Sequence, residues 1–254
     1  MIDCTTVTDF HRNNGELQEF FLFAYAVAGK PSKVTQAKVN YLLEIIYENR
    51  QVDAHTERPG FGCYLTSMGP LEYLVHQARL DWDRVHGWLK APLPQRICDL
   101  YWIKESKGGL GKYQTWSEML DWIAKGCIPI FGGLDLMLRK ATLLDLEEIP
   151  GVKYKTSRFF VLHSRNDEAQ KCIPLDTHIL RFLRHRGHDE APNKTPGGEH
   201  VYKYWESVAI SEFQQMNLEL DRDWGLAQWD LETWKEFSGN LTDPRDKEKP
   251  ASVK

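Results

Sequence analysis

No two cysteines in this chain stand three residues apart. The five present, Cys4, Cys63, Cys98, Cys127 and Cys172, are scattered over 254 residues. This excludes the close ligand pairs from which a zinc ribbon is built. An apolar run of the ~20 residues needed to cross a bilayer is missing, so no membrane partner is expected. No leader-like segment opens the chain, and an odd cysteine count argues against a disulfide framework. Both lead us to expect a reducing, intracellular, cytoplasmic setting. Apolar and polar residues alternate nowhere for long, and no segment repeats. Without a period of two there is little from which to make a sheet, and the expected fold class is all-α.

An excess of positive charge is lacking too. Lys and Arg total 32 against 36 Asp and Glu, a net charge of −4. What is present is a charge asymmetry. From Ile149 to His188 there are eight Lys and Arg (Lys153, Lys155, Arg158, Arg165, Lys171, Arg181, Arg184, Arg186) against Asp167, Glu168 and Asp176, a local surplus of five. The segment from Glu212 to Glu236 is acidic. A basic face on an acidic body can bind nucleic acid, because affinity follows the local phosphate contacts. The content of 42% hydrophobic and 27% charged residues is ordinary for a soluble globular protein. The nine tryptophans suit a large core or aromatic pocket walls.

The apolar spacing predicts a series of helices. Residues 1–14 read as a polar arm. Glu16–Ala28 reads as a strongly apolar helix ending at Gly29. Val34–Asn49 follows, with Val39, Leu42, Leu43 and Ile46 on one face. Thr56–Gly69, rich in glycine and aromatics, reads as a loop. Helices are expected at about Leu71–Leu80, Trp82–Leu89 and Arg96–Glu105. Ser106–Lys112 is glycine-rich but fails the phosphate-loop pattern, because Ser106 stands at its first glycine and Tyr113 at its closing Ser/Thr. Thr115–Glu118 reads as a capping box opening a helix with Trp116, Met119, Leu120 and Ile123 inward. That helix stops at Gly126, a turn covers Cys127–Gly133, and a short helix covers Leu134–Lys140. Late helices are expected over Tyr202–Met216 and within Trp224–Phe237, before a polar tail at 238–254 expected to be disordered.

Two stretches carry the chemistry. In Leu146–Ser157 a short helix, capped at Thr142, runs into a turn at Pro150-Gly151-Val152-Lys153, and a basic helix opens at Tyr154 with Phe159, Phe160 and Leu162 inward. Such a turn offers backbone N–H groups to a phosphate: glycine permits close approach, and a helix N-terminus favours an anion. In Ile173–Phe182 a loop ends on Asp176, placed as an N-cap of the next helix. A carboxylate there is placed to face whatever the turn holds. The histidines His163, His178, His185 and His188 form no metal-ligand pattern, and no metal is expected.

These two stretches resemble the helix-hairpin-helix DNA glycosylase superfamily. Its hairpin, roughly Leu-Pro-Gly-Val-Gly-x-Lys-Thr-Ala, is matched by Ile149-Pro-Gly-Val-Lys-Tyr-Lys-Thr-Ser157. Its catalytic segment, roughly Val-Asp-Thr-His-Val-x-Arg, is matched by Leu175-Asp-Thr-His-Ile-Leu-Arg181. The close match covers about forty residues. The resemblance implies two helical lobes around a DNA-binding cleft. These fall within a domain at 1–237, with lobes of roughly 30–140 and of 15–29 plus 141–237.

The resemblance also implies Asp176 as the catalytic aspartate and Lys155 at the nucleophilic lysine of lyase-competent members. It implies DNA contacts from Pro150, Gly151, Val152, Lys153, Tyr154 and Thr156. His178 is implied to be structural or sugar-facing. No cofactor is expected beyond a monovalent cation on the hairpin carbonyls. The chain departs from the pattern in three places. Lys153 replaces the second hairpin glycine. No cysteine follows Cys172, so the four-cysteine iron–sulfur cluster of some members cannot be built. The Gln-Thr pair that many members carry after the first helix is absent from Ala28–Ser32, where Lys30 and Lys33 are expected to contact phosphate instead.

The expected function is therefore a monomeric, nucleoid-associated enzyme that flips a base out of the duplex and hydrolyses its N-glycosidic bond. Attack by Lys155 and strand cleavage form a second expected activity. Phe61, Tyr64, Trp102 and Trp229 are candidate walls for the base pocket. The departures suggest an unusual, bulky modified base and a phage-related setting, in phage-DNA metabolism or in defence. A same-fold transferase or pyrophosphorylase acting on a hypermodified base stands as an alternative, like the glycosylase-like proteins associated with phage hypermodified thymines. So does a non-catalytic hairpin module that only binds DNA.

Overall fold

The computed structural model describes residues 1–27, 32–56, 61–85, 111–166 and 171–238. Eleven α-helices are described: α1 (Asn14–Ala26), α2 (Ser32–Thr56), α3 (Phe61–Ser67), α4 (Pro70–Val85), α5 (Gly111–Gly126), α6 (Leu134–Lys140), α7 (Leu143–Glu147), α8 (Tyr154–Ser164), α9 (Thr177–His185), α10 (Glu199–Leu220) and α11 (Leu226–Ser238). A π-helical turn, Cys127–Phe131, joins α5 to α6. No strand occurs among the described residues, so the all-α class holds there. The chain divides into two compact units, Met1–Phe160 and Val161–Lys254, with the division falling inside α8.

The first unit is built on α1. Every residue from Leu17 to Tyr25 is buried, so this helix is enclosed all round rather than along one stripe. Asn13 starts it with a capping box: its side chain accepts from the Glu16 N–H at 3.0 Å, and the Glu16 carboxylate accepts from the Asn13 N–H at 2.9 Å. Two buried residues of α1, Gln18 and Glu19, are polar. The Gln18 amide oxygen accepts from the N–H groups of Leu71 and Glu72, at 3.0 and 3.2 Å, and so caps α4 from a neighbouring helix. Val39, Leu42, Leu43 and Ile46 of α2 and Trp116, Met119, Leu120 and Ile123 of α5 are buried, which matches both expected stripes. The ring of Phe160 lies 5.8 Å from Phe20 and 5.2 Å from Phe21.

The second unit has its own core. Phe182 of α9 stacks on Phe213 of α10 at 4.8 Å, and Phe213 stacks on Trp229 of α11 at 5.5 Å. Below α8, His163 and Asp230 make a buried pair, Nε2 to Oδ2 at 2.9 Å.

Four local expectations are corrected. Residues 1–13 are not a free arm. Asn40 of α2 accepts from the Ile2 N–H at 2.8 Å and donates to the Ile2 carbonyl at 2.9 Å, and Ile2, Cys4 and Val7 are buried. Thr56–Gly69 is not simply a loop, because α3 forms there with Leu65 buried. The two helices expected between Leu71 and Leu89 form one helix as far as Val85. It is tied to α2 where Gln77 donates to Asp53 at 2.7 Å. Thr115–Glu118 lies inside α5, which starts at Gly111. Trp116 is buried and its ring lies 5.5 Å from Tyr25, so packing carries the helix past the local capping signal. The helix expected at Arg96–Glu105, the loop at 106–110, Lys30 and the tail from 239 lie outside the described residues.

Candidate functional site

The turn between α7 and α8 is shaped by three kinds of constraint. A capping box between Thr142 and Asp145 starts α7. The Val152 N–H donates to the Ile149 carbonyl at 3.0 Å across Pro150 and Gly151. Gly151 has φ +85°. Proline at the second position and a positive φ at the third define a type II turn. Glycine is needed here twice over. A Cβ would lie 2.4 Å from both the Thr115 methyl and the Tyr25 hydroxyl oxygen, which close over one side of the turn. Burial pushes the Tyr25 phenol well up, with the Glu118 charge adding to it, so the hydroxyl keeps its proton; it donates to the Pro150 carbonyl at 3.4 Å.

Behind the turn sits a clamp. The Glu147 carboxylate accepts from Arg158 Nη1 at 2.6 Å and from the Ser157 hydroxyl at 2.8 Å. Arg158 and Glu147 are 6% and 14% exposed, so the pair is largely desolvated and locks α7 to α8. The solvent side of the turn is left to Gly151 and Lys153, both exposed. Pro150, Tyr154 and Lys155 are half-buried, while Val152 and Thr156 are buried. Lys155 stands in the first turn of α8 and makes no ion pair or hydrogen bond among the described residues. The first N–H groups of a helix have no acceptor within it, so Tyr154, Lys155 and Thr156 bring an anion-seeking end to the exposed turn. Lys33, exposed in the first turn of α2, belongs to the same unit.

Asp176 belongs to the second unit and is half-buried. It caps α9: Oδ1 accepts from the N–H groups of His178 and Ile179 at 2.8 and 2.9 Å. Both bonds fall on one oxygen, which leaves Oδ2 outside the cap. The approach to Asp176 is braced. The Tyr202 hydroxyl accepts from the Leu175 N–H at 2.8 Å and donates to the Ile173 carbonyl at 3.3 Å. Glu206 accepts from the Ile173 N–H at 3.1 Å, and Thr195 donates to the Leu175 carbonyl at 2.7 Å. His178 Nδ1 is buried and has no hydrogen-bond partner among the described residues.

Among the described residues, at least three of the eight cations counted in the basic segment are spent internally. Arg158 pairs with Glu147. Arg186 pairs with Glu212 at 2.7 Å and Glu219 at 3.0 Å. Arg184 donates to the Pro192 carbonyl at 2.8 Å. Among the aromatic candidates, Trp229 is only 3% exposed and donates to Asn217 at 2.9 Å, which makes it core. Tyr64 is 58% exposed, and Trp102 lies outside the described residues. A groove of about 590 Å³ beside Trp224 and Trp229 carries Arg222 and Lys235 against Glu232 and Glu236, so its charge selects no ligand. No group of three potential metal ligands occurs among the described residues.

Sequence reasoning missed the Glu147–Arg158 clamp and the Tyr202–Glu206–Thr195 brace, because each joins separate segments that no local pattern pairs. It also missed the character of the π-helical turn, which holds Ile128 and Ile130 out at 66% and 65% exposure. The run Ile-Pro-Ile between Cys127 and two glycines was the available signal. Comparison with family models, curated proteins and solved structures finds no match.

Proposed function

We propose that the chain binds DNA through the α7–α8 turn and excises a base from it, with Asp176 as the catalytic carboxylate. The observation that carries this reading is the turn itself. It is a rigid type II turn, covered on one face by Tyr25 and Thr115. It opens on the other at Gly151 and Lys153, and it runs into a helix N-terminus. Backbone N–H groups in a constrained turn, with one exposed ammonium beside them, suit a sugar–phosphate strand. The resemblance of Ile149–Ser157 and of Leu175–Arg181 to the helix-hairpin-helix glycosylases supports the same reading.

In this mechanism the target nucleotide leaves the stack. The bond from C1′ to the base nitrogen breaks, the base departs with the electron pair, and positive charge develops on the deoxyribose ring. Asp176 stabilises that charge and orients the water that adds to C1′, and the proton this water gives up balances the one the departing base takes. Oδ1 is held by the helix cap, and Oδ2 is the oxygen offered to the sugar and water. Ile128 and Ile130 are suited to entering the gap in the stack, as apolar wedges do when a step is unstacked. Attack by Lys155 on C1′ would instead form a Schiff base and lead to strand scission. That route needs a deprotonated amine.

The test is incubation with duplexes carrying normal, damaged and hypermodified bases, followed by assay for abasic sites, free base and strand breaks. Abasic sites lost in Asp176→Asn are expected. A base of changed mass still joined to its sugar would favour a transferase, and binding without change would reduce the protein to a DNA-binding module. Borohydride trapping that requires Lys155 would establish the lyase step.

A further inference from the structure

Resting on the base-excision reading, we infer that Tyr202, with Glu206 and Thr195, is a positioning residue that sets the Asp176 carboxylate through its backbone. Ile173–Leu175 lies outside any helix, no strand occurs among the described residues to pair with it, and these three residues are buried. Side chains from α10 and from the segment before it take the place of a sheet partner. Tyr202 and Glu206 stand four residues apart, on one face of α10. The single Tyr202 hydroxyl, on a residue with no exposed surface, serves both the Leu175 N–H and the Ile173 carbonyl. Glu206 takes the Ile173 N–H, and Thr195 takes the Leu175 carbonyl. Pro174 between them offers no N–H, and its carbonyl accepts from the Asp176 N–H at 2.8 Å.

Every polar backbone group of Ile173 and Leu175 is thus fixed by a named side chain, and the next residue is Asp176. These bonds also satisfy the buried backbone: a leucine at position 206 would spare the desolvation of a carboxylate but leave the Ile173 N–H without its acceptor. What the arrangement supplies is a fixed backbone one residue ahead of a half-buried acid. Carboxylate stabilisation of a cationic sugar falls off steeply with misplacement, and a shift of about 1 Å is worth about a hundredfold in rate.

The experiment needs no knowledge of the substrate base. The full chain is titrated with two duplexes that differ at one nucleoside. One carries a pyrrolidine ring, cationic at neutral pH, in place of the sugar, and the other carries a neutral tetrahydrofuran ring. Wild type is expected to prefer the cationic duplex, and Asp176→Asn to abolish that preference. Tyr202→Phe removes one hydroxyl and is expected to reduce the preference about tenfold while affinity for the neutral duplex stays unchanged. Should Tyr202→Phe fail to fold, Thr195→Val is expected to reduce the preference and Thr195→Ser, which keeps the hydroxyl, to retain it. A preference that Asp176→Asn removes but Tyr202→Phe and Thr195→Val leave intact overturns this inference alone. An equal loss on both duplexes does the same, because it marks a merely structural role. No preference in wild type overturns the base-excision reading and this inference together.

Discussion

In the proposed mechanism Asp176 has two jobs, one for each oxygen, and an isosteric substitution separates them. Asn at this position keeps an oxygen for the His178 and Ile179 N–H groups, so α9 stays capped. It removes the negative charge. We expect Asp176→Asn to bind DNA as wild type does but to lose about 10²–10³-fold in kcat, as when one electrostatic stabiliser is deleted. Single-turnover release of free base measures this, and an undiminished rate would dismiss Asp176 as the acid. Gly151 is constrained from the other direction. Its φ of +85° disfavours any side chain, and the Tyr25 hydroxyl and Thr115 methyl already fill the space. Gly151→Ala is expected to cost about 1–3 kcal/mol by overpacking and to weaken DNA binding as well, read by urea denaturation and by titration with a duplex.

Among the elements, α7 and α8 hold each other through one desolvated ion pair. Glu147→Ala leaves Arg158 buried without its carboxylate and takes the acceptor from Ser157. Breaking such a pair typically costs about 3–5 kcal/mol. Replacing both partners with apolar residues of similar size is expected to restore much of that loss, because the desolvation cost goes with the charges. A double-mutant cycle in urea checks it. The π-helical turn gives the opposite contrast. Ile128 and Ile130 are exposed, so Ile128→Ser and Ile130→Ser should leave stability within about 0.5 kcal/mol of wild type. If these side chains fill the gap left by a flipped base, the same changes should lower the fluorescence of a 2-aminopurine placed at the extruded position. An unaltered signal would remove the wedge from the mechanism.

For the molecule as a whole, the acid side of the stability curve has a named contributor. Burial alone would raise the Glu212 carboxyl, but hydrogen bonds from Arg186 and His188 outweigh it and leave the group below its ordinary value of 4.5. Glu219 is likewise lowered, chiefly by its bond from Arg186. A carboxylate held down in the folded state contributes stability above its unfolded value, and that contribution is lost as pH falls through the folded one. The urea midpoint should therefore drop below about pH 4.5, and the drop should be shallower in Arg186→Met, where the chief lowering partner is gone. An acid slope identical in the two proteins would contradict this assignment. No helix among the described residues is long and apolar enough to cross a membrane.

How much of this was legible beforehand follows from the range of the forces involved. The α5 core stripe, the Thr142 cap, the turn at Pro150-Gly151 and the Asp176 cap were all readable, because each is written within a few neighbouring residues by periodicity, capping chemistry or the needs of a tight turn. The continuity of α4, the docking of residues 1–13 on α2 and the start of α5 at Gly111 were not, because contacts between distant segments overrode the local signals. The candidate site divides in the same way. The chain itself named Asp176 and the residues of the turn. Only tertiary structure decided that Tyr25 and Thr115 close over Gly151, that Arg158, Arg184 and Arg186 are committed inside the protein, and that Tyr202, Glu206 and Thr195 brace the approach to Asp176. Burial and hydrogen-bond satisfaction depend on neighbours brought from elsewhere in the chain, and no local pattern encodes them.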